Sequence, residues 1–536
     1  MKKLPLGIQN FREIIKGNYV YVDKTQYVYN LINDAKYYFL SRPRRFGKSL
    51  LLDTIAEVFS GDKELFNGLF IYDSDYSFEK HPVLRLDMSN IANETPETLI
   101  EELSIPLRER ARTEGLDIDY NMPSAVFKTL IKALYIKYNK RVVVLIDEYD
   151  KPILDHIDDV EVAEANRKVL KGFYGILKSM DPYLELTFIT GVSKFSKTSI
   201  FSELNNLLDI TLTEKYSNIC GIAIEDMDKY FGDHIEELAS LEKFKRYKNI
   251  KDEILAWYDG YSWDGKTRVI NPFSLFSFFI QKRFTNFWYA SGTPSFLIKL
   301  IKEKPSSFLL LKNLEISERV LDTFDIRKMS AAPLLFQTGY LTMTGKSYRG
   351  DSESYLLGMP NHEVREAFNL NIIADFTENE EDFTETVYWQ MKDSLKNGDL
   401  NNMLNQLKSL FASIPYQLHV NCEAYYHSIF YAIASVLGFD VDVEVSVSGG
   451  RVDAVLELED KIYVMEFKYV DCPSGATQEV KERLFKEILH KAMDQINNKG
   501  YCKKYSGSEK TIYQVAFAFI GRDDIAMTST EDGGTV

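Results

Sequence analysis

The stretch YYFLSRPRRFGKSLLLDTIAEV, residues 37–58, contains a short apolar run, a basic loop and a second apolar run with helical spacing. The first run predicts a buried strand over Tyr37–Ser41, and the second predicts a helix over Ser49–Val58. Between them, Gly47–Ser49 lies where backbone N–H groups at a helix N-terminus can surround a phosphate. The sequence therefore predicts a phosphate-binding loop at this junction.

This loop departs from the usual phosphate-binding pattern at one position. The pattern has a glycine five residues before Gly47, and Arg42 stands there instead. Because Gly-Lys-Ser also occurs by chance, an ordinary helix start is the alternative interpretation. If the loop binds a nucleotide, we expect Lys48 to contact its β- and γ-phosphates and Ser49 to contact Mg²⁺. Two further cations of the loop are accessory candidates, Arg44 and Arg45.

A second element supports nucleotide binding. The stretch Arg141–Ile146 predicts a strand buried on both faces, and Asp147 and Glu148 follow it. We expect Asp147 to hold Mg²⁺ and Glu148 to orient or deprotonate the attacking water. The alternative is that the two acids only solvate a strand end.

A third apolar run, Leu184–Thr190, predicts another buried strand. Ser193 and Lys194 follow it, so polar side chains gather again at the edge where parallel strands end. We treat both residues as candidates for sensing a γ-phosphate. The first 221 residues are therefore expected to form a P-loop parallel sheet with helices.

Charged residues interrupt apolar strands in the C-terminal region as well. Glu466 and Lys468 are two positions apart, so they share one face of a predicted strand. A two-residue turn after Leu458 would place Asp453 opposite Glu466. Facing carboxylates destabilise a sheet unless a divalent cation or a nearby lysine offsets them. The hairpin therefore predicts a metal site, and the alternative is an exposed, salt-bridged sheet face.

The elements around this hairpin follow the order αβββαβ. They are predicted at Glu423–Leu437 (helix), Val441–Val447, Arg451–Leu458 and Lys461–Lys468 (strands), Gln478–Asn498 (helix) and Ile512–Ile520 (strand). This order is the core of the restriction-endonuclease-like fold.

Together, these segments resemble the AAA-ATPase-like family of bacterial and archaeal P-loop proteins, whose members often carry a C-terminal nuclease domain. The resemblance covers most of the chain, and the family also has arginine at the position of Arg42. Further matching stretches are Asn18–Lys24, Asp147–Asp150, Gly191–Ser196, Tyr258–Tyr261, Asn271–Pro272 and Phe336–Tyr340. Asp453 with Glu466-Phe467-Lys468 is similar to the PD-(D/E)XK nuclease signature.

The resemblance implies chemical roles for the C-terminal residues. Asp453 and Glu466 would bind Mg²⁺, and Lys468 would position or activate a water for attack on a phosphodiester. Glu423 and Gln495 resemble accessory positions, although an ordinary structural role is equally open for both. ATP and Mg²⁺ are the implied cofactors, and nucleic acid, with DNA favoured, is the implied partner.

Charge and segment composition constrain the partners. The net charge of −15 argues against a surface that binds nucleic acid all round, whereas residues 1–48 carry ten Lys/Arg against three Asp/Glu. Residues 461–505 carry nine against six, so both candidate sites lie in locally basic stretches. No signal peptide, membrane-spanning run or paired cysteine spacing is visible, which predicts a cytoplasmic protein without a membrane partner.

The expected architecture is an α/β multidomain chain. Its parts are an ATPase domain (1–221), a helical lid with a winged-helix-like unit (222–361), a helical connector (362–417), a nuclease-like domain (418–527) and a flexible tail (528–536). The winged-helix-like expectation rests on a helix followed by two strands near Tyr340–Thr344 and Tyr355–Gly358. A homo-oligomer is left open.

Two classes of function are compatible with these motifs. The first is an ATP-hydrolysing protein in which nucleotide occupancy controls access of DNA or RNA to a metal-dependent nuclease domain. The second is a nucleotide-dependent switch or scaffold whose nuclease-like domain binds nucleic acid without cleaving it. Intact Asp453, Glu466 and Lys468 favour the first. A translocase ranks third, because no separate helicase motif set is visible.

Overall fold

The computed structural model describes residues 1–194, 200–201, 204, 206–288, 314–317, 320–321, 331–349, 352–368, 381–412, 440–447, 450–458, 460–471, 476–505, 507–520 and 524–532. Two compact units divide the chain. The first comprises Met1–Ser291 and Asn313–Asn361, and the second comprises Gly292–Lys312 and His362–Val536. In the described part of the chain, no helix combines the length and apolar character needed to cross a membrane.

A parallel five-stranded sheet forms the centre of the first unit. Its strands are β1 (Tyr37–Ser41), β2 (Val83–Asp87), β3 (Val142–Asp147), β4 (Leu184–Gly191) and β5 (Leu208–Asp209). They lie in the order β2-β3-β4-β1-β5. Every residue of β1 and β3 is buried, as expected for a parallel sheet covered on both faces. The predicted strands 37–41, 141–146 and 184–190 are therefore confirmed to within one residue.

Seven helices of the first unit accompany this sheet in the described part of the chain. They are α1 (Phe11–Lys16), α2 (Thr25–Asp34), α3 (Lys48–Val58), α4 (Pro96–Thr113), α5 (Pro123–Tyr138), α6 (Lys151–Leu154) and α7 (Val160–Ser179). Helix α3 follows β1 directly after the loop, which confirms the predicted strand, loop and helix.

The middle of the chain continues the first unit. Strands β6 (Ile222–Ala223) and β7 (Val269–Ile270) pair with each other. Helices α8 (Ile224–Ser240) and α9 (Ile250–Tyr258) lie between these strands in the chain, and α10 (Pro272–Gln281) follows β7. Four aromatic side chains of this region are buried and belong to its core: Tyr258, Trp263, Phe287 and Trp288.

Two family-resembling motifs of the middle region have structural roles. Gly260 has φ 107°, and a Cβ built there would lie 2.1 Å from the carbonyl oxygen of Pro360, so only glycine fits. Asn271 caps α10, because its Oδ1 accepts hydrogen bonds from the N–H groups of Phe273 and Ser274 at 2.9 and 3.2 Å. These residues shape the backbone.

A three-stranded antiparallel sheet completes the first unit. It contains β8 (Leu314–Ser317), β9 (Thr342–Arg349) and β10 (Ser352–Gly358) in the order β8-β10-β9, and helix α11 (Ala331–Thr338) precedes its hairpin. A helix followed by a two-stranded hairpin is the arrangement on which the winged-helix-like expectation rested.

The second unit is built on a mixed five-stranded sheet. Its strands, in sheet order, are β11 (Asp440–Val447), β12 (Gly450–Glu457), β13 (Lys461–Val470), β14 (Thr511–Ile520) and β15 (Asp524–Asp532). Strand β14 is parallel to β13, and the other neighbours are antiparallel. The described part of this unit includes helices α12 (Glu381–Asn397), α13 (Leu400–Ala412) and α14 (Gln478–Asn498).

The predicted flexible tail is wrong for residues 528–532. They belong to β15, where Thr528 pairs with Ala516 and Asp532 pairs with Ile512. Backbone pairing with β14 is sufficient to order an edge strand of polar residues. Such a segment shows no apolar periodicity, and the sequence therefore did not predict a strand there. The other strands and α14 lie within two residues of their predicted bounds, whereas the predicted helix Glu423–Leu437 lies outside the described residues.

Candidate nucleotide and metal sites

The loop between β1 and α3 has the backbone of a helix N-terminal phosphate site. Gly47 precedes α3 with φ 90° and ψ 20°, a left-handed conformation that glycine adopts without strain. Phe46 anchors the loop, since its buried ring packs edge-on against Tyr261 and Trp263 with centroid distances of 4.7 and 5.4 Å. The first N–H groups of α3 therefore point out of a fixed loop.

Lys48 lies inside this loop. Its Nζ donates hydrogen bonds to the carbonyl oxygens of Arg42 and Pro43 at 2.9 and 3.0 Å, and the side chain is buried. Burial lowers the pKa of Lys48, and the negative charges of Asp147 and Glu148 oppose that change. The ammonium group thus lies in the field of both acids that follow β3, as the predicted site requires.

Arg42 explains why the usual glycine is missing. Its guanidinium is fully buried, donates to the carbonyl oxygens of Ser41 and Thr211 at 2.8 and 2.9 Å, and lies 4.0 Å above the ring of Trp263. Burial lowers its pKa to about 10. The side chain therefore joins the start of the loop to the segment after β5 and has a structural role.

We predict that Arg42→Ala destabilises the first unit by about 3 to 5 kcal/mol, because it leaves a cavity and unpaired buried carbonyls. Thermal unfolding followed by circular dichroism would show a lower midpoint. Arg44→Ala is the matched control, since Arg44 is exposed in the same loop and should change stability by less than about 0.5 kcal/mol. Equal midpoints for Arg42→Ala and wild type would contradict the structural role.

Thr190 and the backbone orient the two acids after β3. Thr190 Oγ1, on the neighbouring strand β4, donates to Asp147 Oδ1 at 2.6 Å, and the Glu148 N–H donates to the same oxygen at 3.0 Å. Glu148 has φ 51°, an uncommon conformation for a residue other than glycine. Burial raises the pKa of Glu148, while Lys48 opposes the rise. A carboxylate with a raised pKa suits a general base.

The two candidates after β4, Ser193 and Lys194, each contact an acidic side chain. Asp150 is buried and accepts hydrogen bonds from the N–H of Ser193 at 2.6 Å and from its Oγ. Lys194 Nζ lies 3.2 Å from Asp209 Oδ2 in a buried ion pair. Both contacts hold the segment after β4 against the sheet, and the sensing of a γ-phosphate by Ser193 and Lys194 stays a prediction.

The two arginines at the top of the loop are exposed. The guanidinium of Arg45 lies 3.8 Å from the ring of Phe273, and the charge of Arg44 acts on Glu148 by lowering its pKa. The Ser49 backbone carbonyl accepts from Arg85 at 3.3 Å. The structure thus places Arg44 near the acids, whereas Arg45 packs on α10.

An apolar cavity adjoins the loop. One wall is a face of α3, because the lining residues of that helix recur at spacings of three and four. The N-terminal segment and the chain before α8 form the other walls. The lining includes Pro5, Val20, Tyr21, Val22, Gly47, Leu50, Leu51, Thr54, Ile219, Cys220, Ile222 and Phe276. Lys24 also lines the cavity, which lies directly beside the loop because Gly47 is part of its wall.

The predicted hairpin register of the second unit is confirmed. Leu458 N–H donates to the Lys461 carbonyl oxygen at 2.7 Å, and the ladder pairs Ala454 with Met465. One further step of the same register places Asp453 opposite Glu466, so their side chains lie on the same face of the sheet. Asp453 Oδ2 also accepts from the Phe467 N–H at 2.9 Å, which holds the carboxylate beside β13.

Glu466 is the centre of this site. Its side chain is fully buried, and its Oε1 accepts from Lys468 Nζ at 2.8 Å and from Gln495 Nε2. Its Oε2 is buried and has no hydrogen-bond partner among the described residues. Burial and the charge of Asp453 raise the pKa of Glu466 to about 7, while Lys468 and Lys499 oppose the rise.

These observations fit a divalent cation. A buried carboxylate oxygen without a partner is costly, and a second carboxylate beside it adds repulsion, so a bound cation would relieve both. Asp453, Glu466, Lys468 and Gln495 are brought together as predicted. In the described residues no group of three His, Cys, Asp or Glu side chains converges. The remaining predicted acid, Glu423, lies outside the described residues.

We predict that metal affinity at this site rises with pH. Because the folded-state pKa of Glu466 is raised to about 7, the carboxyl is protonated below that pH and a cation must displace its proton. Below the pKa, Mn²⁺ affinity should therefore fall about tenfold per pH unit. Titration calorimetry would measure it, with Glu457→Gln on the exposed part of β12 as a control that keeps the profile. An affinity independent of pH in this range would contradict the assignment.

Some functional residues were missed by the sequence analysis. Thr190 orients Asp147, and its only signal was a polar residue at the end of an apolar strand. Tyr501 accepts from Gln495 Nε2 at 3.3 Å, and Lys499 lies near Glu466, although neither belongs to the predicted signature.

The fold and sites define a class of protein. The first unit is a P-loop protein with acids at the carboxyl end of a neighbouring strand, and the second is an α/β domain of the restriction-endonuclease-like type. Residues 5–201 match the family model of the predicted AAA-ATPases, an AAA-ATPase-like family. Residues 421–529 match the PD-(D/E)XK nuclease superfamily.

Relatives span nearly the whole chain. A protein of Azotobacter chroococcum mcd 1, described as an uncharacterized protein in the vnfD 5' region, is 36% identical over 526 residues, which cover 97% of this chain and 96% of the relative. The chain therefore belongs to the AAA-ATPase-like family with a C-terminal PD-(D/E)XK domain. The solved structure of the Aeropyrum pernix ORC2 protein in ADPNP–ADP complexes has 12% identity and a TM-score of 0.26, covering 66% of this chain and 94% of that one. A likeness this low carries no conclusion.

Proposed function

We propose that the protein binds and hydrolyses ATP in its first unit and cleaves nucleic acid with Mg²⁺ in its second. One observation carries the nuclease assignment. Within the part of the chain that the structure describes, the buried carboxylate of Glu466 has an oxygen without a hydrogen-bond partner, and Asp453 and Lys468 lie beside it. A sheet face that was only structural would gain stability from an apolar residue at this position.

In the nucleotide site, each residue has one task. The loop N–H groups before and within α3 would hold the phosphates, and Lys48 would exchange its two loop carbonyls for β- and γ-phosphate oxygens. Ser49 and Asp147 would hold Mg²⁺, with Asp147 kept in orientation by Thr190. Glu148 would take a proton from the attacking water. The base would enter the apolar cavity beside Gly47.

In the second unit, Asp453 and Glu466 would hold Mg²⁺, which supplies positive charge against the charge that develops on the phosphate oxygens. Gln495 would fix the orientation of Glu466 through Oε1, which would leave Oε2 to bind the cation. Lys468 would orient the attacking water, because its ammonium lies 2.8 Å from the same carboxylate.

Cleavage assays test this function directly. Purified protein would be incubated with single- and double-stranded DNA and RNA, with Mg²⁺, Mn²⁺ or EDTA, and with or without ATP. We expect cleavage that requires metal. Binding without cleavage under all of these conditions would instead favour a nucleotide-dependent switch or scaffold.

We predict that Glu148→Gln binds ATP with nearly unchanged affinity but hydrolyses it about a hundredfold or more slowly, since loss of a general base typically costs that much. Trapped ATP would be measured by filter binding and turnover by phosphate release. ATP turnover that is lost in Lys48→Ala belongs to this site. Equal turnover of Glu148→Gln and wild type, in a preparation whose activity depends on Lys48, would remove Glu148 from the mechanism.

A further inference from the structure

A basic segment directly follows the helix that supplies Gln495. Helix α14 ends at Asn498, Lys499 caps it, and Gly500 turns the chain with φ 60°. Lys499, Lys503 and Lys504 are exposed. Because Lys499 follows Gln495 by four residues, the two lie on the same face of the helix end.

Hydrogen bonds connect this helix end to the metal site. Gln495 Nε2 donates both to Glu466 Oε1 and to the hydroxyl of buried Tyr501. The Lys499 Nζ lies 5.9 Å from the centroid of the Tyr501 ring, and the charge of Lys499 opposes the rise in the pKa of Glu466, so the ammonium lies near that carboxylate. Glu466 is buried and accepts a hydrogen bond from Lys468. Lys499, in contrast, is exposed to solvent at the end of the helix.

We propose that Lys499 binds a backbone phosphate of the nucleic acid, next to the phosphodiester that is cleaved at the site of Asp453 and Glu466. This inference rests on the proposed nuclease function. Lys503 and Lys504 continue the same positive surface along the strand direction of the substrate. Recognition is of phosphate, so it is independent of base sequence.

A lysine at a helix C-terminus also stabilises the helix dipole. That role would affect folding and leave substrate binding unchanged. A phosphate contact has the opposite signature, because each contact releases a counterion and steepens the salt dependence of binding. The two roles are therefore separable by one set of measurements.

The test is nucleic-acid binding by the full chain in EDTA, measured by fluorescence anisotropy over a range of salt concentrations. Fluorescein-labelled single- and double-stranded DNA and RNA are the probes. For Lys499→Gln we expect the slope of log affinity against log salt to fall by about 0.7 to 0.9, and binding to weaken by about five- to eightfold near 0.1 M salt. The unfolding midpoint should match wild type, and Lys499→Arg, which keeps the charge, should restore binding.

Lys486→Ala is the matched control. Lys486 is exposed on the same helix, but it lies 13 residues earlier, about 20 Å along the axis and on another face. It should bind like wild type. If wild type binds and cleaves while Lys499→Gln has the same affinity and salt slope, the inference is wrong and the nuclease assignment stands. If wild type binds none of the four probes in EDTA, the inference is wrong, and if it also cleaves none of them with Mg²⁺ or Mn²⁺, both are wrong.

Discussion

Asp453→Ala is expected to abolish metal-dependent cleavage, with a fall of about a thousandfold or more. The hairpin register, continued by one residue pair, places Asp453 opposite Glu466. The charge of Asp453 also raises the pKa of Glu466, so the two carboxylates lie close together. Even residues behind the ligands of a metal site change activity by roughly 10- to 100-fold, so loss of a ligand should cost more. Cleavage of labelled DNA and RNA would be followed with Mg²⁺ and Mn²⁺.

The same substitution should leave the fold intact or slightly stabler. Removing Asp453 relieves the repulsion between two carboxylates in metal-free protein, a trade of stability for activity that functional sites commonly show. Asp460→Ala is the matched control, because Asp460 is an exposed acid in the turn of the same hairpin. Cleavage that persists in both Asp453→Ala and Glu466→Ala, with a copurifying nuclease excluded, would leave the scaffold as the better account.

Lys48→Ala is expected to weaken ATP binding by roughly a hundredfold or more, because hydrogen bonds from an ammonium to phosphates are charge-assisted. Its buried Nζ donates to the carbonyl oxygens of Arg42 and Pro43, which phosphate oxygens would replace. Removing a buried cation should not unfold the first unit. Titration calorimetry with ATP and Mg²⁺ would measure the effect.

Lys16→Ala provides the comparison for that experiment. Lys16 is exposed at the end of α1, so its loss should leave ATP affinity unchanged. If Lys48→Ala and wild type bound ATP equally, the loop between β1 and α3 would not be a nucleotide site.

Local patterns were sufficient for the sheet strands and for the hairpin that carries Asp453 and Glu466. The register that sets Asp453 beside Glu466 follows from the length of one turn, and the burial of β1 and β3 follows from their uninterrupted apolar runs. Both depend only on neighbouring residues, which is why the sequence predicts them.

Contacts between distant segments could not be predicted in this way. Thr190 reaches Asp147 because β4 lies between β1 and β3, an order that no single segment encodes. The burial of Arg42 depends in the same way on Trp263, more than 200 positions away. Strand β15 was missed because pairing with β14 orders a polar segment that buries little.

The most direct test of the metal site is anomalous diffraction from crystals of the full chain grown with Mn²⁺. We expect an anomalous peak within about 2.0 to 2.3 Å of an Asp453 carboxylate oxygen and of Glu466 Oε2, the buried oxygen that lacks a protein partner. The peak should be absent from Glu466→Gln crystals grown in the same way. Crystals of protein that cleaves nucleic acid with Mn²⁺, but whose manganese lies away from both carboxylates, would contradict the account.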